Sequence, residues 1–532
     1  MATVVAHGST GKAGAAMSNA DHKNAQAIKA LFGDEALAAR LAATRIAVVM
    51  PEYDLAPSGK LLVQVLSDVL ARLWPKIDFQ GHCADMAQKV AHDAAASGGL
   101  PGQGLQVQWC PPYDVVVAVA CDAPDDSKDR LRVGADGWIA ALGATANCGD
   151  DLNPVGPAFA AALAAAQVFR RIFAAELDGM SALLISEWKA DVRELFGVPD
   201  LGVAGLDLGE THVFGVGAVT HGLVWLMEHW PAEVSGFVDL VDQDCYGVSN
   251  GQRYAFLSPN DALTGAHKVL AVKTRLDAAH PNLRVEPHST DLNSYCAERG
   301  YDRPLRRVIV GLDSPEGRRH AALKLPERTI NMWTGGERLG AARYLPGPGR
   351  ACLACDYLER TDSPLDEVAD VHKQTGLRPD VVRALLDTSR ELTHGEAAHI
   401  AAHNAARGVL SAESMAGQPL RSVMPMVCAM GSLQLAGSTE AVDVPFPFAS
   451  LFAGIAGFMM LLKDLHCGPT TSEGWTQHNF KSPSPLLLRA LHARKECVCC
   501  TEVAHLNEAE CLTEHWTDCA SNRERSTGPP GG

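Results

Sequence analysis

The feature that most constrains this chain is a short run near its middle, where THVF (211–214) leads into GVGAVTHG (215–222) and then into LVWLMEH (223–229). A strand of β-branched and aromatic residues, a glycine turn and an apolar helical pattern, in that order, begin an open parallel sheet. Gly215 and Gly217 let the backbone turn sharply and approach a phosphate, and the helix start adds unpaired amides at the positive end of a dipole. Thr220 stands where the usual dinucleotide fingerprint has its third glycine, which leaves the local turn geometry open.

The surrounding pattern is α/β throughout. From residue 211 onward it predicts strands at 236–241, 284–287 and 307–312, a helix at 223–229 and a late apolar helix at 448–462. An earlier unit predicts strands at 45–50, 105–109 and 114–120, with helices at 60–73 and 157–173. The two units resemble one another weakly: DVVVAVACD (114–122) matches RVIVGLDS (307–314), and 153–172 matches 444–463. This suggests a duplication whose first copy carries MPEYDLAPSG (50–59) where the second has its glycine turn. A chain of 532 residues is too long for one core, and the expected division is a flexible segment 1–40, a first α/β domain 41–200, a second formed by 201–364 with 437–500, a helical insertion 365–436 and a tail 501–532. Within the insertion, PDVVRALLDTSREL (379–392) has helical spacing, and HGEAAHIAAH (394–403), one residue too long for the zincin pattern, reads as a solvated or packed helix with His399 and His403 on one face.

Composition excludes some partners. The net charge of −16 has no basic stripe within it, which argues against a grip on nucleic acid phosphates. Residues 444–462 carry no charge and are nearly long enough to cross a bilayer. Pro445, Pro447, Gly454 and Gly457, with Lys463 and Asp464 directly after, favour a buried helix and no membrane association. The amino end lacks a secretory pattern, so a cytoplasmic address is expected, and GSTGKA (8–13) lacks the spacer and hydroxyl of a phosphate loop. Fifteen cysteines in such a chain point to metal binding or thiol chemistry rather than a disulfide framework.

Chemistry-bearing residues follow the glycine turn in order. Asp242, in VDQD, stands where an acid accepts hydrogen bonds from a ribose diol. Arg253, in VSNGQR (248–253), and Lys268, in GAHKVLAVK (265–273), are a basic pair that a nicotinamide cofactor does not need but that nucleotidyl transfer does, since attack on an α-phosphate builds negative charge. RVIVGL delivers Asp313 at a strand's carboxyl end, where an acid would carry Mg²⁺. Separately, Cys352 with Cys355 and Cys497 with Cys500 form two CxxC pairs, the donor set of a closed tetrahedral Zn²⁺ site that ties distant segments together, with Cys499 a competing ligand.

In these motifs, from about residue 211 to 500 with gaps, the chain resembles the ThiF/MoeB and ubiquitin-activating enzyme superfamily. The resemblance implies a Rossmann-like adenylation domain preceded by an inactive copy of the same fold, packed as an internal pseudo-dimer that could itself dimerise. It implies that the positions of Asp242, Asn250, Arg253, Lys268 and Asp313 bind the ribose, phosphates and Mg²⁺ of ATP. The implied reaction adenylates the C-terminal carboxylate of a ubiquitin-like protein and releases pyrophosphate; an enzyme thiol then captures the acyl group for a ubiquitin-conjugating-type enzyme. Cys428, in RSVMPMVCAMGS, is the expected thiol, with Cys467 in reserve. Helical insertion and duplicated unit are closer to bacterial ubiquitin-like conjugation systems, some of which act against phage, than to the compact sulfur-transfer branch. The alternatives are an adenylyltransferase for a sulfur-carrier protein of thiamine or molybdopterin synthesis, and a non-catalytic scaffold that binds a ubiquitin-like partner.

Overall fold

A computed structural model describes most of residues 43–500, leaving out 1–42, 99–110, 174–186, 358–367, 405–410, 424–432, 435–440, 479–486, 501–532 and several shorter stretches. The strand expected at 105–109 and Cys428 therefore lie outside the described residues.

Runs of β-branched residues form two parallel-rich sheets. In the first, β1 (Ile46–Val49) pairs in parallel with β2 (Ile77–Gln80) on one side and β3 (Tyr113–Val119) on the other. β4 (Ser127–Asp136) continues in parallel beyond β3, and β5 (Ile139–Leu142) and β6 (Trp188–Asp191) follow antiparallel. In the second sheet, β7 (Leu206–Phe214) lies between β8 (Val234–Val241) and β10 (Arg307–Val310); β9 (Leu283–His288) flanks β8, and β11 (Arg328–Gly335) flanks β10, all parallel. β12 (Arg338–Tyr344), β13 (Glu473–His478) and β14 (Leu487–Ala490) complete it antiparallel. The parallel half has the Rossmann-like arrangement, in which the chain steps outward from β7 on one side and then returns to build the other. The first sheet, β2-β1-β3-β4-β5-β6, repeats the order and sense of β8-β7-β10-β11-β12-β13 strand for strand.

The longer helices are α1 (Pro57–Ala71), α2 (Ala84–Ser97), α3 (Val155–Phe173), α4 (Ala218–Glu228), α5 (Lys268–Ala279), α6 (Pro315–Leu323), α7 (Pro379–Thr388), α8 (His394–His403) and α9 (Pro447–His466). α4 starts at Ala218, five residues before the helix read from the sequence, because the helical turn begins directly at Gly217. The uncharged run at 444–462 becomes α9, initiated by Pro447 in its first turn, and 89% of its most apolar window is buried inside the protein. The run is a core helix.

α1 and α3 beside the first sheet and α4 and α9 beside the second contribute to one continuous apolar cluster. α3 and α9 cross antiparallel, with Phe159 against Phe452 at 5.1 Å between ring centroids and Phe169 against Phe446 at 4.4 Å. Each such side chain, fully buried, contributes about 1.5–3 kcal/mol, so the two sheets are joined by core packing. α9 ends at the amino edge of the strands, where buried Asp464 accepts from Arg307 Nε at 2.7 Å and lies 3.5 Å from Arg328 Nη1. α7 and α8 build a separate small core around Val382, Leu385, Ala397 and Ile400. α8 is a helix as expected, packed through Ala397 and Ile400, with a Thr393–Glu396 capping box and His399 Nε2 against Gly376 O at 2.8 Å.

Candidate active site

The carboxyl ends of β7, β8 and β10 meet at the point where the sheet order reverses, the usual ligand crevice of an open α/β sheet. Gly215 adopts a φ of +87°, and a Cβ there would come within 2.9 Å of Gly311 C and Leu312 N at the end of β10, so only glycine fits. Thr220, in the first turn of α4, donates its hydroxyl to Gly215 O at 2.7 Å and locks the turn that its presence had left open. Gly217 caps α4 with no side-chain hydrogen bond, which leaves first-turn amides facing the crevice.

Asp242 lies at the end of β8, but its carboxylate is already engaged. One oxygen accepts from Val216 N at 2.7 Å and the other from Asp244 N at 2.9 Å. It therefore fixes the glycine turn, and burial pushes its pKa up against the opposing pull of Lys268. Lys268, at the start of α5, places Nζ 2.7 Å from Asp244 Oδ2, 3.9 Å from Asp242 Oδ1 and 5.8 Å from the Tyr254 ring centroid. Burial pulls the ammonium down, but Tyr254, Asp242 and Asp244 outweigh it and its pKa is raised.

Asn250 accepts from Gly247 N at 2.8 Å and closes the short helix Val248–Gly251. Arg253 follows it with a buried Nε that has no acceptor, and the side chain forms no ion pair among the described residues. Asp313 is exposed just beyond β10, next in the sheet to β7 and its glycine turn. The amide of Val216, next to Gly215, thus ties the glycine turn to Asp242, which lies 3.9 Å from Lys268 Nζ, whereas Asn250, Arg253 and Asp313 stand on separate segments.

Two residues escaped the sequence reading. Asp244 is the exposed acid of the pair, 60% accessible, and it, rather than Asp242, has a carboxylate turned to solvent beside Lys268. The repeated acid in VDQD was the signal. Tyr254 is buried between His221 and Tyr246, and its hydroxyl lies 3.8 Å from where a Cβ on Gly217 would stand. Burial raises its pKa, with Lys268 opposing.

On the opposite face of the second sheet, the sulfurs of Cys352, Cys355, Cys497 and Cys500 all lie within 4.8 Å of one another and are buried. Cys352 Sγ is 3.5 Å from Cys497 Sγ, and Cys355 Sγ is 3.4 Å from Cys500 Sγ. A tetrahedral ion with metal–sulfur bonds of about 2.3 Å would space sulfurs about 3.8 Å apart, so this donor set fits one closed site. Arg494 N points at Cys355 Sγ at 3.5 Å, the kind of outer hydrogen bond that orients a thiolate ligand. Hydrogen bonds with Cys352 and Cys500 hold the Cys355 thiol well below its usual range. Four buried cysteines arranged in this way can hold a metal such as zinc. Cys500 belongs to the cluster; Cys499 lies outside the described residues.

Cys467 caps the carboxyl end of α9 at the amino edge of the sheet, across the strands from the glycine turn, and burial raises its pKa. That position sets Cys467 at the opposite end of α9 from Pro447.

The fold and crevice define an α/β protein with a Rossmann-like sheet, a glycine turn at its carboxyl edge and a separate four-cysteine cluster. The chain is 30% identical over 475 residues to the uncharacterized protein y4jF of Sinorhizobium fredii (strain NBRC 101917 / NGR234), covering 84% of this chain and 86% of the relative, and it belongs to that family. No family model matches it. Among solved structures it is similar to Escherichia coli MccB with MccA-N7isoASN, at 12% identity and a TM-score of 0.31, over 55% of this chain and 66% of that one. A second is PaaA, at 14% identity and a TM-score of 0.29, over 53% and 64%. The match thus spans just under two thirds of each of those two chains.

Proposed function

We propose that the chain is an ATP-dependent adenylating enzyme that activates the C-terminal carboxylate of a ubiquitin-like protein. The observation that carries this reading is Arg253, a cation with a buried Nε lacking an acceptor, directly before Tyr254, whose hydroxyl approaches Gly217 of the glycine turn in a Rossmann-like sheet. A cation without a carboxylate partner next to unpaired helix amides suits a phosphate group, and Lys268 supplies a second positive charge. Asn250, Arg253 and Lys268 would hold the phosphates, Asp244 the ribose, and exposed Asp313 a Mg²⁺ ion that would supply charge neutralisation for the leaving pyrophosphate. Attack of a carboxylate oxygen on the α-phosphorus forms the acyl-adenylate and breaks the bond to pyrophosphate. Arg253 and Lys268 stabilise the charge that develops there.

In the same reading, the first unit is a degenerate copy and the inactive half of a pseudo-dimer, a view supported by the shared strand order and the antiparallel packing of α3 on α9. The Cys428 thiolate would then attack the acyl carbon of the acyl-adenylate, breaking its bond to the phosphate and releasing AMP, and hold the acyl group as a thioester for delivery to a conjugating-type enzyme. The zinc assignment for the four cysteines belongs to this reading too.

The test is exchange of labelled pyrophosphate into ATP by the full chain with Mg²⁺ and a ubiquitin-like protein. Exchange that needs both additions and disappears in Asp313→Ala is expected. A chain that neither binds ATP nor exchanges pyrophosphate overturns the reading.

A further inference from the structure

The loop that carries Asn250 and Arg253 is held from outside its own sheet. Arg72, the residue capping α1 beside the first sheet, is fully buried and forms a two-pronged pair with Asp68, Nε to Oδ2 at 2.9 Å and Nη2 to Oδ1 at 2.7 Å. The same guanidinium donates to Gly251 O, to Leu257 O at 3.4 Å and to Ser97 Oγ at 2.7 Å. Asp68 in turn accepts Phe256 N on both oxygens at 3.2 Å. Phe256 has a φ of +62°, a backbone state that a bulky residue keeps only where its surroundings over-determine it.

The end of α2 completes the grip. Gln252 Nε2 donates to Gly98 O at 3.3 Å, and a Cβ on Gly251 would strike Ser97 O at 2.0 Å. Groups of the first unit therefore hold the backbone of the 250–257 loop on both sides of Arg253, the Ser97 backbone and Arg72 before it and the side chains of Asp68 and Arg72 after it. A buried ion pair placed between two units is costly to desolvate and adds little stability over apolar packing, but it specifies one geometry.

We infer that Asp68 and Arg72 are positioning residues of the nucleotide site, through which the first unit sets the backbone of the loop that presents Asn250 and Arg253 to ATP. This rests on the adenylating reading. It gives the first unit a task that needs no nucleotide of its own: the pair acts on Arg253 through the carbonyls of Gly251 and Leu257 and the amide of Phe256, and touches no substrate.

The experiment is calorimetric titration of the full chain with ATP and Mg²⁺ as a double-mutant cycle between Arg72→Lys and Arg253→Gln. Lysine keeps the charge but cannot fork between Asp68 and two carbonyls. Arg72→Lys should raise the Kd for ATP about tenfold in the wild-type background and less than about twofold in Arg253→Gln, since coupled residues are not additive. A merely structural contribution would shift both backgrounds by the same factor, and that result, or an unchanged Kd, overturns the inference. Melting temperatures measured in parallel report folding. If Arg72→Lys does not fold, Ser97→Ala keeps the ion pair, removes one of its anchors and enters the same cycle with an expected shift of about threefold; wild-type affinity there overturns the proposal. A wild-type chain that binds no ATP removes the adenylating reading and this inference with it.

Discussion

Asp242 and Asp244 are two residues apart in sequence and do different work. Both oxygens of Asp242 accept backbone N–H groups, the part-buried one of Val216 and the exposed one of Asp244, so removing its carboxylate loses two hydrogen bonds at a cost of about 0.5–1.5 kcal/mol each. Asp244 is exposed and its side-chain partner is Lys268, a pair of the kind worth about 0–1 kcal/mol. Asp242→Ala is therefore expected to lower the melting temperature, while Asp244→Ala should leave it near wild type and weaken ATP binding. Thermal denaturation paired with ATP titration separates them, and the reverse pattern would return the ribose role to Asp242. The basic pair was legible in the sequence because Arg253 and Lys268 follow an acid at a strand end, a spacing that pattern alone can register. Tyr254 was not, since an aromatic residue reads as core until three-dimensional packing brings its hydroxyl to Gly217.

Among the elements, the turn between β7 and α4 depends on Thr220. Its hydroxyl bond to Gly215 O is buried, so Thr220→Val, nearly the same shape without the donor, should cost about 1–3 kcal/mol in denaturant unfolding and weaken ATP binding together. Thr220→Val with unaltered stability and ATP affinity would mean that Gly215 and Asp242 hold the turn alone. The sequence marked β1, β3, β8, β9, β10, α3 and α9 well because each is a continuous apolar or amphipathic run. It did not yield β4 with β5 or β11 with β12. Both pairs are hairpins with two-residue connections: Asp136 faces Ile139 and Gly335 faces Arg338. The turn signals, ADGW and TGGER, were present in the chain but lay between segments with mixed polarity on antiparallel strands, where alternation is weaker than in the buried parallel ones.

At the scale of the molecule, the four-cysteine cluster closes the chain across 145 residues, from the segment after β12 to the segment after β14. Everything between, including α7, α8 and α9, is enclosed by that junction, which Ala351 N to Leu491 O at 3.4 Å and the Arg350–His492 bridge extend. Packed thiols alone make a poor tie, because a thiol is a weak hydrogen-bond donor and acceptor. A bound ion would convert them to thiolate ligands and fix both segments, so its binding energy becomes folding energy. The full chain is thus expected to carry about one equivalent of Zn²⁺, and Cys352→Ser should lose it along with about 5 °C or more of melting temperature. The cluster lies on the face of the second sheet away from α4 and α9, among Tyr344, Val308 and Val310, so the crevice residues do not depend on it directly. Below its melting temperature, Cys352→Ser should therefore bind ATP within about twofold of wild type, as distant and independent sites do. Elemental analysis, thermal denaturation and ATP titration of the two proteins decide this together. A metal-free wild-type chain of full stability would remove the zinc assignment, and a Cys352→Ser chain that is stable but no longer binds ATP would move the cluster from architecture into the active site.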